Sequence, residues 1–181
     1  MVPYLASTFA ALTLMAAQAS AQPPLVNVVA IGASNTWGWG VTGRNAYPKR
    51  LEDMLKAEGY NARVVNAGVI MDTTAGMLRR VDAAVPDGTH IVILQPGGND
   101  LRFFRSRHQR AANIDAMVQR LTARSIPVIV YDPEFPLDFY QWDRIHLTAD
   151  AHAKIAAELL PQVAEIIKAK DGKEPARPKR R

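Results

Sequence analysis

Short apolar runs alternate with amphipathic segments along most of this chain. Four runs rich in Val, Ile or Leu are typical of buried strands, and they cover residues 26–31, 62–66, 90–95 and 126–131. Between and after them, apolar residues at helical spacing predict four helices. They cover residues 47–58, residues 73 or 74 to 85, a segment that includes 114–121 and ends near 124, and a last segment from 148 onward. Strands that alternate with helices predict a three-layer α/β/α fold, a parallel sheet with helices on both faces.

Three polar motifs stand at or beyond the ends of these strands. They are residues 32–35 (GASN), 97–100 (GGND) and 143–146 (DRIH). Functional groups in parallel sheets gather at the carboxyl ends of the strands, so we expect the three motifs to meet there. They contain the parts that acyl transfer through a serine requires: Ser34 as nucleophile, Asn99 as oxyanion donor, and His146 as base with Asp143 to orient it.

Each of these residues also has an ordinary structural interpretation. Ser34 alone would fit a turn or a helix N-cap, and Asn99 alone would fit a turn. Gly68, which follows the second strand, is either a turn glycine or an unobstructed N–H donor. A surface histidine is the alternative for His146, which lies in a loop with Asp143 three residues earlier, whereas His90 is expected to open a strand. The case for chemistry depends on all three motifs occurring together.

Other kinds of active site find little support in the sequence. The glycines around Ser34 do not form G-x-G-x-x-G, and no Gly-Lys-Ser/Thr phosphate loop is present. The chain has no H-E-x-x-H zinc motif and no cysteine, which excludes thiol nucleophiles, disulfides and thiolate metal sites. We therefore expect neither a metal nor a cofactor.

The first 21 residues differ from the rest of the chain. They contain no charged side chain, include an apolar run over residues 5–17, and end in Ala19-Ser20-Ala21. This pattern predicts a signal peptide cleaved after Ala21 and a periplasmic or secreted protein; the alternatives are a membrane anchor or a buried first helix.

The excess positive charge belongs to the C-terminal end. Residues 168–181 hold seven basic and two acidic side chains, which accounts for the whole net charge of +5. We predict a domain over residues 22–167 and a basic disordered tail over 168–181. The tail either contacts anionic membrane or envelope polymer weakly or merely aids solubility, and nucleic acid is not an expected partner because the domain itself shows no basic stripe.

These motifs resemble those of the SGNH hydrolases, also called GDSL-type esterases and lipases, over about residues 25–165. The layout is most similar to small exported bacterial acyl hydrolases. The resemblance implies a flavodoxin-like sheet, a triad of Ser34, Asp143 and His146, and an oxyanion hole of Ser34, Gly68 and Asn99. In the usual Gly-Asp-Ser-Leu block, this chain has Ala33 for the acidic residue and Asn35 for leucine.

One segment is short for that family. Related enzymes commonly place a further helix and strand before the Asp-x-x-His block, whereas residues 132–142 are too few for that unit. We therefore predict a sheet reduced to about four main strands. Aromatic residues of this loop, including Phe135 and Trp142, either form an acyl-binding wall or cover the sheet edge.

Further residues are candidates for substrate binding. Asp100 and Arg102 directly follow the Asn99 position, and Arg105, Arg107 and Arg110 add to the positive charge there. These arginines either favour substrates with an anionic portion or form a solvated face.

The predicted function is that of a serine ester hydrolase, which acts through an acyl-enzyme on a small-molecule or lipid ester. A thioesterase or lysophospholipase using the same site is the alternative within this class. The alternative from another class is a non-catalytic cell-envelope protein that binds carbohydrate or lipid.

Overall fold

Four parallel strands form the sheet, in the order β2-β1-β3-β4. In the computed structural model, which describes residues 23–170, they are β1 (Val26–Gly32), β2 (Ala62–Gly68), β3 (Ile91–Gln95) and β4 (Val128–Val130). The predicted reduction to four strands is confirmed for this part of the chain, although β4 is shorter than the apolar run 126–131. In the register, Gly32 lies opposite both Gly68 and Gln95, so β1, β2 and β3 end at a common edge.

In the described part of the chain, six α-helices connect and cover the strands. They are α1 (Ser34–Trp37), α2 (Tyr47–Ala57), α3 (Thr74–Ala84), α4 (Asn99–Arg102), α5 (Arg107–Thr122) and α6 (Ala149–Lys170), with 3₁₀ turns at Gly43–Asn45 and Leu137–Phe139. Thr73 caps α3 by accepting the Gly76 N–H, and Thr148 accepts the Ala151 N–H at the start of α6. Both capping threonines are those expected from the sequence. Among residues 23–170, no helix combines the length and apolar character needed to cross a bilayer.

The sheet is buried on both faces. Val28 and Ala30 of β1 pack with residues of α2 and α6, such as Leu51 and Ile155. Val29 and Ile31 pack on the opposite face with residues of α3 and α5, including Met77, Val81, Met117 and Leu121. The alternation of β1 side chains between two apolar clusters confirms the α/β/α layers.

The last helix extends beyond the predicted end of the domain. α6 continues to Lys170 and passes through Pro161, and the Lys170 ammonium donates to the carbonyl of His90 at 2.9 Å. Residues 168–170, which the sequence assigned to the basic tail, are therefore helical. The predicted signal peptide and the remainder of the tail lie outside the described residues.

Candidate active site

A cleft of about 670 Å³ opens at the carboxyl edge of the sheet. This volume is typical of small-molecule sites. Its walls come from all three motifs: Ser34 and Asn35 from the first, Gly97 to Asn99 from the second, and the loop around His146 through Arg144, Ile145 and Leu147. The fold thus brings together three segments that are far apart in sequence.

Ser34 is the first residue of α1 and is 7% exposed. The turn before it is tight because Gly32 lies against Thr36, whose hydroxyl donates to Gln95 Oε1 at 2.7 Å; a Cβ on Gly32 would come within 2.0 Å of Thr36 Oγ1. Ala33, which replaces the usual acidic residue, makes no side-chain cap to α1, so the N–H of Ser34 stays available at the helix start. Within residues 23–170, Ser34 Oγ makes no hydrogen bond, which leaves the hydroxyl free to react.

Asp143 and His146 form a pair within one turn. Asp143 Oδ2 lies 2.5 Å from His146 Nδ1, and its Oδ1 accepts the backbone N–H groups of Ile145 and His146, both at 3.0 Å. Desolvation alone would raise the pKa of the Asp143 carboxyl, but the hydrogen bonds from His146 and Ile145 outweigh it and lower that pKa to about 2. Asp143 is therefore a carboxylate at ordinary pH and fixes the orientation of the imidazole.

Asn35 joins the serine turn to the histidine loop. Its Oδ1 accepts the N–H of Leu147 at 3.0 Å, and its Nδ2 donates to the carbonyl of Ile145 at 3.3 Å. These two partners flank His146 on either side. No hydrogen bond joins Ser34 Oγ to His146 Nε2, so among the described residues the Asn35 bonds are the direct polar link between the two motifs.

Two further side chains hold the histidine loop. Gln141 Nε2 donates to the carbonyls of Trp39 and Leu147 at 2.9 and 2.8 Å. The Trp39 ring lies beside the imidazole of His146, with ring centroids 5.5 Å apart. The sequence assigned no role to Trp39 or Gln141, because Trp39 meets the loop across about a hundred residues and no local pattern marks the Gln141 side chain.

Asn99 begins α4 at the rim of the cleft. Gly97 takes a positive φ of 67°, which permits the sharp turn after β3. Asn99 Nδ2 donates to the carbonyl of Asp72 at 2.8 Å. A primary amide has two N–H bonds, so the second remains for an acceptor in the cleft.

Gly68 does not have the role that the resemblance implied. Its N–H donates to Asn66 Oδ1 at 3.0 Å, and a Cβ at this position would lie 2.2 Å from the backbone nitrogen of Trp37. Gly68 is a glycine because α1 packs directly on the end of β2. The structure therefore contradicts the prediction that its N–H is an oxyanion donor.

A tight turn three residues later offers a different backbone donor. Asp72 N–H bonds to the carbonyl of Val69 at 3.2 Å, and Met71, at the third position of this turn, has a φ of 61°. The turn is anchored beside the serine motif because Val69 N–H donates to the carbonyl of Gly32 at 3.0 Å. Among the described residues, the Met71 N–H has no acceptor. Glycine usually occupies a turn position with positive φ, so a methionine there gave no sequence signal.

The four tentative substrate-binding residues divide into two groups. Arg102 and Phe135 line the cleft. Trp142 is 94% exposed and does not line it. Asp100 is 1% exposed, and its two oxygens accept the hydroxyl and the N–H of Thr74 at 2.7 and 2.9 Å. The predictions for Asp100 and Trp142 are therefore corrected: the carboxylate anchors the start of α3, and the indole faces solvent.

Comparisons with known proteins agree with this architecture. Residues 30–174 match the model of the GDSL-like Lipase/Acylhydrolase family. The chain is 32% identical to Esterase TesA of Pseudomonas aeruginosa over 130 residues, which cover 71% of this chain and 63% of that protein. It thus spans slightly under two thirds of the length of this relative.

Solved structures show the same fold. A crystal structure of TesA superposes with a TM-score of 0.71 at 21% identity, covering 77% of this chain and 99% of that one. The structure of AlinE4, an SGNH-hydrolase family esterase, superposes with a TM-score of 0.58 at 28% identity over 78% of this chain and 74% of its own. With the family match over most of its length, this chain belongs to the GDSL-like lipase/acylhydrolase family.

Proposed function

We propose that this protein hydrolyses carboxylic esters through an acyl-enzyme on Ser34. His146 takes the proton from the serine hydroxyl as Oγ attacks the acyl carbonyl, and then gives it to the departing alcohol. Asp143 holds the Nδ1–H side of the imidazole, so that Nε2 faces the reaction. A water molecule, activated by the same histidine, then releases the acid and restores Ser34.

The oxyanion is stabilised by three donors in this proposal. They are the N–H of Ser34 at the uncapped start of α1, the N–H of Met71, and the second N–H of the Asn99 amide. Asn99 and Met71 are neighbours because the Asn99 amide donates to the carbonyl of Asp72. Donors of this kind contribute about 2.7–4 kcal/mol each to transition-state stabilisation in other hydrolases.

The observation that carries the proposal is the Asp143–His146 pair, held on a loop whose residues Arg144, Ile145 and Leu147 line the same cleft as Ser34. The 2.5 Å contact fixes the base, and Asn35 bonds to both neighbours of His146 from the position directly after Ser34. A non-catalytic binding protein would have no need to retain a nucleophile, a base and an orienting carboxylate in this arrangement.

The direct test compares Ser34→Ala with Ser106→Ala on a short-chain 4-nitrophenyl ester. Ser106 is an exposed N-cap of α5 and accepts the Gln109 N–H, so its loss should cost only stability. We expect Ser34→Ala to lower kcat by roughly 10³-fold or more, as removal of a catalytic serine does elsewhere, and Ser106→Ala to retain activity. Near-normal turnover by folded Ser34→Ala would refute the proposal and favour the binding-protein alternative.

The same site serves thioesters and lysophospholipids as well as simple esters, because each presents an acyl carbonyl to the nucleophile. Matched butanoyl oxygen and sulfur esters, assayed with the same enzyme preparation, separate the two chemistries. A kcat/KM much larger for the thioester would assign the protein as a thioesterase.

We also propose that the protein acts outside the cytoplasm. The support is the uncharged, apolar start of the chain and its small-residue site at Ala19 to Ala21. Mass spectrometry of the protein from a cell-envelope fraction should find Gln22 as the first residue. An intact N-terminus in the cytoplasmic fraction would contradict this.

A further inference from the structure

The cleft beside Ser34 contains an excess of positive charge. Four arginines line it: Arg102, Arg107, Arg110 and Arg144. Two carboxylates, Asp132 and Glu134, line it as well. The partners of these groups decide which charges are available to a substrate.

One arginine is committed to the structure. Arg110 bonds to Asp132 Oδ2 at 2.6 Å and to the carbonyl of Gly97 at 3.0 Å. It therefore supports the loop that carries Asn99, and it neutralises Asp132. The sequence alone grouped Arg110 with the arginines that attract substrate, and its contacts remove it from that group.

The other three arginines have no such partner. Within residues 23–170, Arg102, Arg107 and Arg144 form no ion pair and no side-chain hydrogen bond, and each side chain is exposed. Glu134 is the one cleft-lining carboxylate, among the described residues, that forms no ion pair. The cleft thus presents three unpaired cations against a single unpaired carboxylate.

Arg144 adds a second, independent observation. It lies between Asp143 and His146 with a φ of 56°, a left-handed conformation that is unfavourable for a residue with a side chain. Glycine or asparagine would adopt this conformation at lower cost. The chain instead places a cation there, next to the base and in the cleft wall, while Arg102 and Arg107 come from α4 and α5.

We propose that this cleft selects esters that carry a negatively charged group, such as a carboxylate or phosphate, near the scissile bond. The inference rests on the proposed esterase function and names its substrate class. A bound anion reduces the repulsion among the arginines and accepts charge-assisted hydrogen bonds from their guanidinium groups. The attraction falls with added salt, because the arginines are exposed.

Two matched pairs of esters test the proposal. Mono-4-nitrophenyl glutarate and 4-nitrophenyl pentanoate share a five-carbon acyl group and differ in charge on the acyl side. Acetylated 4-hydroxybenzoate and its methyl ester differ in charge on the alcohol side. The quantity measured is the ratio of kcat/KM for the anionic ester to that for the neutral ester, because the ratio cancels general changes in activity.

The variants are Arg102→Gln, Arg107→Gln and Arg144→Gln, with Arg105→Gln as the matched control. Arg105 belongs to the same segment and is exposed, but it does not line the cleft. We expect each cleft variant to lower the ratio of at least one pair by about two- to fivefold, the size that one partly exposed charge pair confers. Arg105→Gln should leave both ratios unchanged, and 0.5 M salt should reduce the wild-type ratio.

The outcomes distinguish a failure of this inference from a failure of the esterase function on which it rests. The inference is overturned if the neutral esters are hydrolysed but the three cleft variants leave both ratios unchanged. It is also overturned if Arg105→Gln lowers the ratios as much as the cleft variants do. Either result leaves the esterase function intact. Absence of turnover on all four esters would overturn the esterase function, and the inference with it. A fall of the ratio in one pair alone supports the inference and shows on which side of the ester the anion binds.

Discussion

Asn35 accepts a hydrogen bond from the backbone N–H of Leu147 at 3.0 Å. The residue after Ser34 is thereby fixed to the residue after His146, across 112 positions of sequence. Its second bond, to the carbonyl of Ile145, makes the contact two-sided. The usual Gly-Asp-Ser-Leu block has leucine at this position, and a leucine side chain could form neither bond.

Asn35→Ala should therefore lower kcat while changing the free energy of unfolding little. The variant loses two hydrogen bonds between the serine turn and the histidine loop, and a displacement of about 1 Å between reacting groups can reduce a rate by about 10²-fold. We expect a decrease in kcat of at least about tenfold with little change in KM, measured on a neutral 4-nitrophenyl ester.

Asn66→Ala is the matched control for this variant. Asn66 also makes two hydrogen bonds next to α1, to the carbonyl of Trp37 and from the N–H of Gly68, but it does not contact the histidine loop. If both variants reduced kcat equally, the effect would be one of general loosening around α1, and the positioning role of Asn35 would be rejected.

Asp143→Asn tests the orienting carboxylate while preserving the turn. The asparagine Oδ1 can still accept the N–H groups of Ile145 and His146, so the backbone should keep its shape. The amide no longer supplies an anionic acceptor to His146 Nδ1, which should lower kcat by roughly 10³- to 10⁴-fold. Unchanged circular dichroism together with that loss would support the assignment, and a loss of less than about tenfold would contradict it.

The pH dependence of activity follows from the same pair. The pKa of Asp143 is lowered to about 2, so this carboxylate remains ionised over any practical assay range. Its stabilising contribution is complete above its ordinary value of 3.8 and is lost only as the pH falls towards 2. A fall in kcat/KM between pH 8 and 5 should therefore not come from protonation of Asp143, and an NMR titration of this carboxylate with a midpoint at or above its ordinary value of 3.8 would contradict the assignment.

Stability in mild acid should depend on a different histidine, His152. Its side chain is fully buried against Tyr47, its Nδ1 accepts the Tyr47 N–H at 3.2 Å, and its Nε2 has no partner among the described residues. Burial, assisted by the charge of Arg50, lowers its pKa from 6.5 to about 4. His152 is thus protonated near pH 6.5 in the unfolded chain but only near pH 4 in the folded chain. Acid therefore favours unfolding between these values.

Urea unfolding at pH 8, 7, 6 and 5 measures this effect in wild type and His152→Phe. The wild type should lose up to about 1.4 kcal/mol per pH unit more than the variant below pH 6.5. His152→Phe should be less stable at pH 8, because the Tyr47 N–H loses its acceptor. His108→Gln, which removes an exposed histidine, should behave as wild type, and parallel pH curves for wild type and His152→Phe would disprove the linkage.

Phe135 distinguishes the two roles considered for the aromatic loop. It lines the cleft and also packs against Phe139, with ring centroids 5.6 Å apart. Phe135→Ala should lengthen the acyl site and raise the octanoyl-to-butanoyl ratio of kcat/KM by about three- to tenfold, the scale of a few added methylene contacts. Trp142→Ala should leave the ratio unchanged because the indole is solvent-exposed. A lower melting temperature without a change in ratio would show that Phe135 only covers the sheet edge.

The local pattern of the sequence was sufficient to place the four strands and the four longer helices, but not the short helices α1 and α4. The apolar runs at residues 26–31 and 62–66 became β1 and β2, and Thr73 caps α3 as expected, because burial on two faces and helix capping leave marks within a few residues. The serine, asparagine and histidine motifs also follow local rules, since they occupy turns after strands. The number of strands followed from the shortness of residues 132–142.

The tertiary structure decided which groups can act at the site. Gly68 is small because α1 packs on it, and an N–H without an acceptor among residues 23–170 belongs to Met71, a residue with no glycine signal for its positive φ. Asp100 turned inward to Thr74. Asn35 reaches the histidine loop across more than a hundred residues. Such roles depend on distances between segments that meet only when the sheet forms, so neither periodicity nor motif spacing along the chain could determine them.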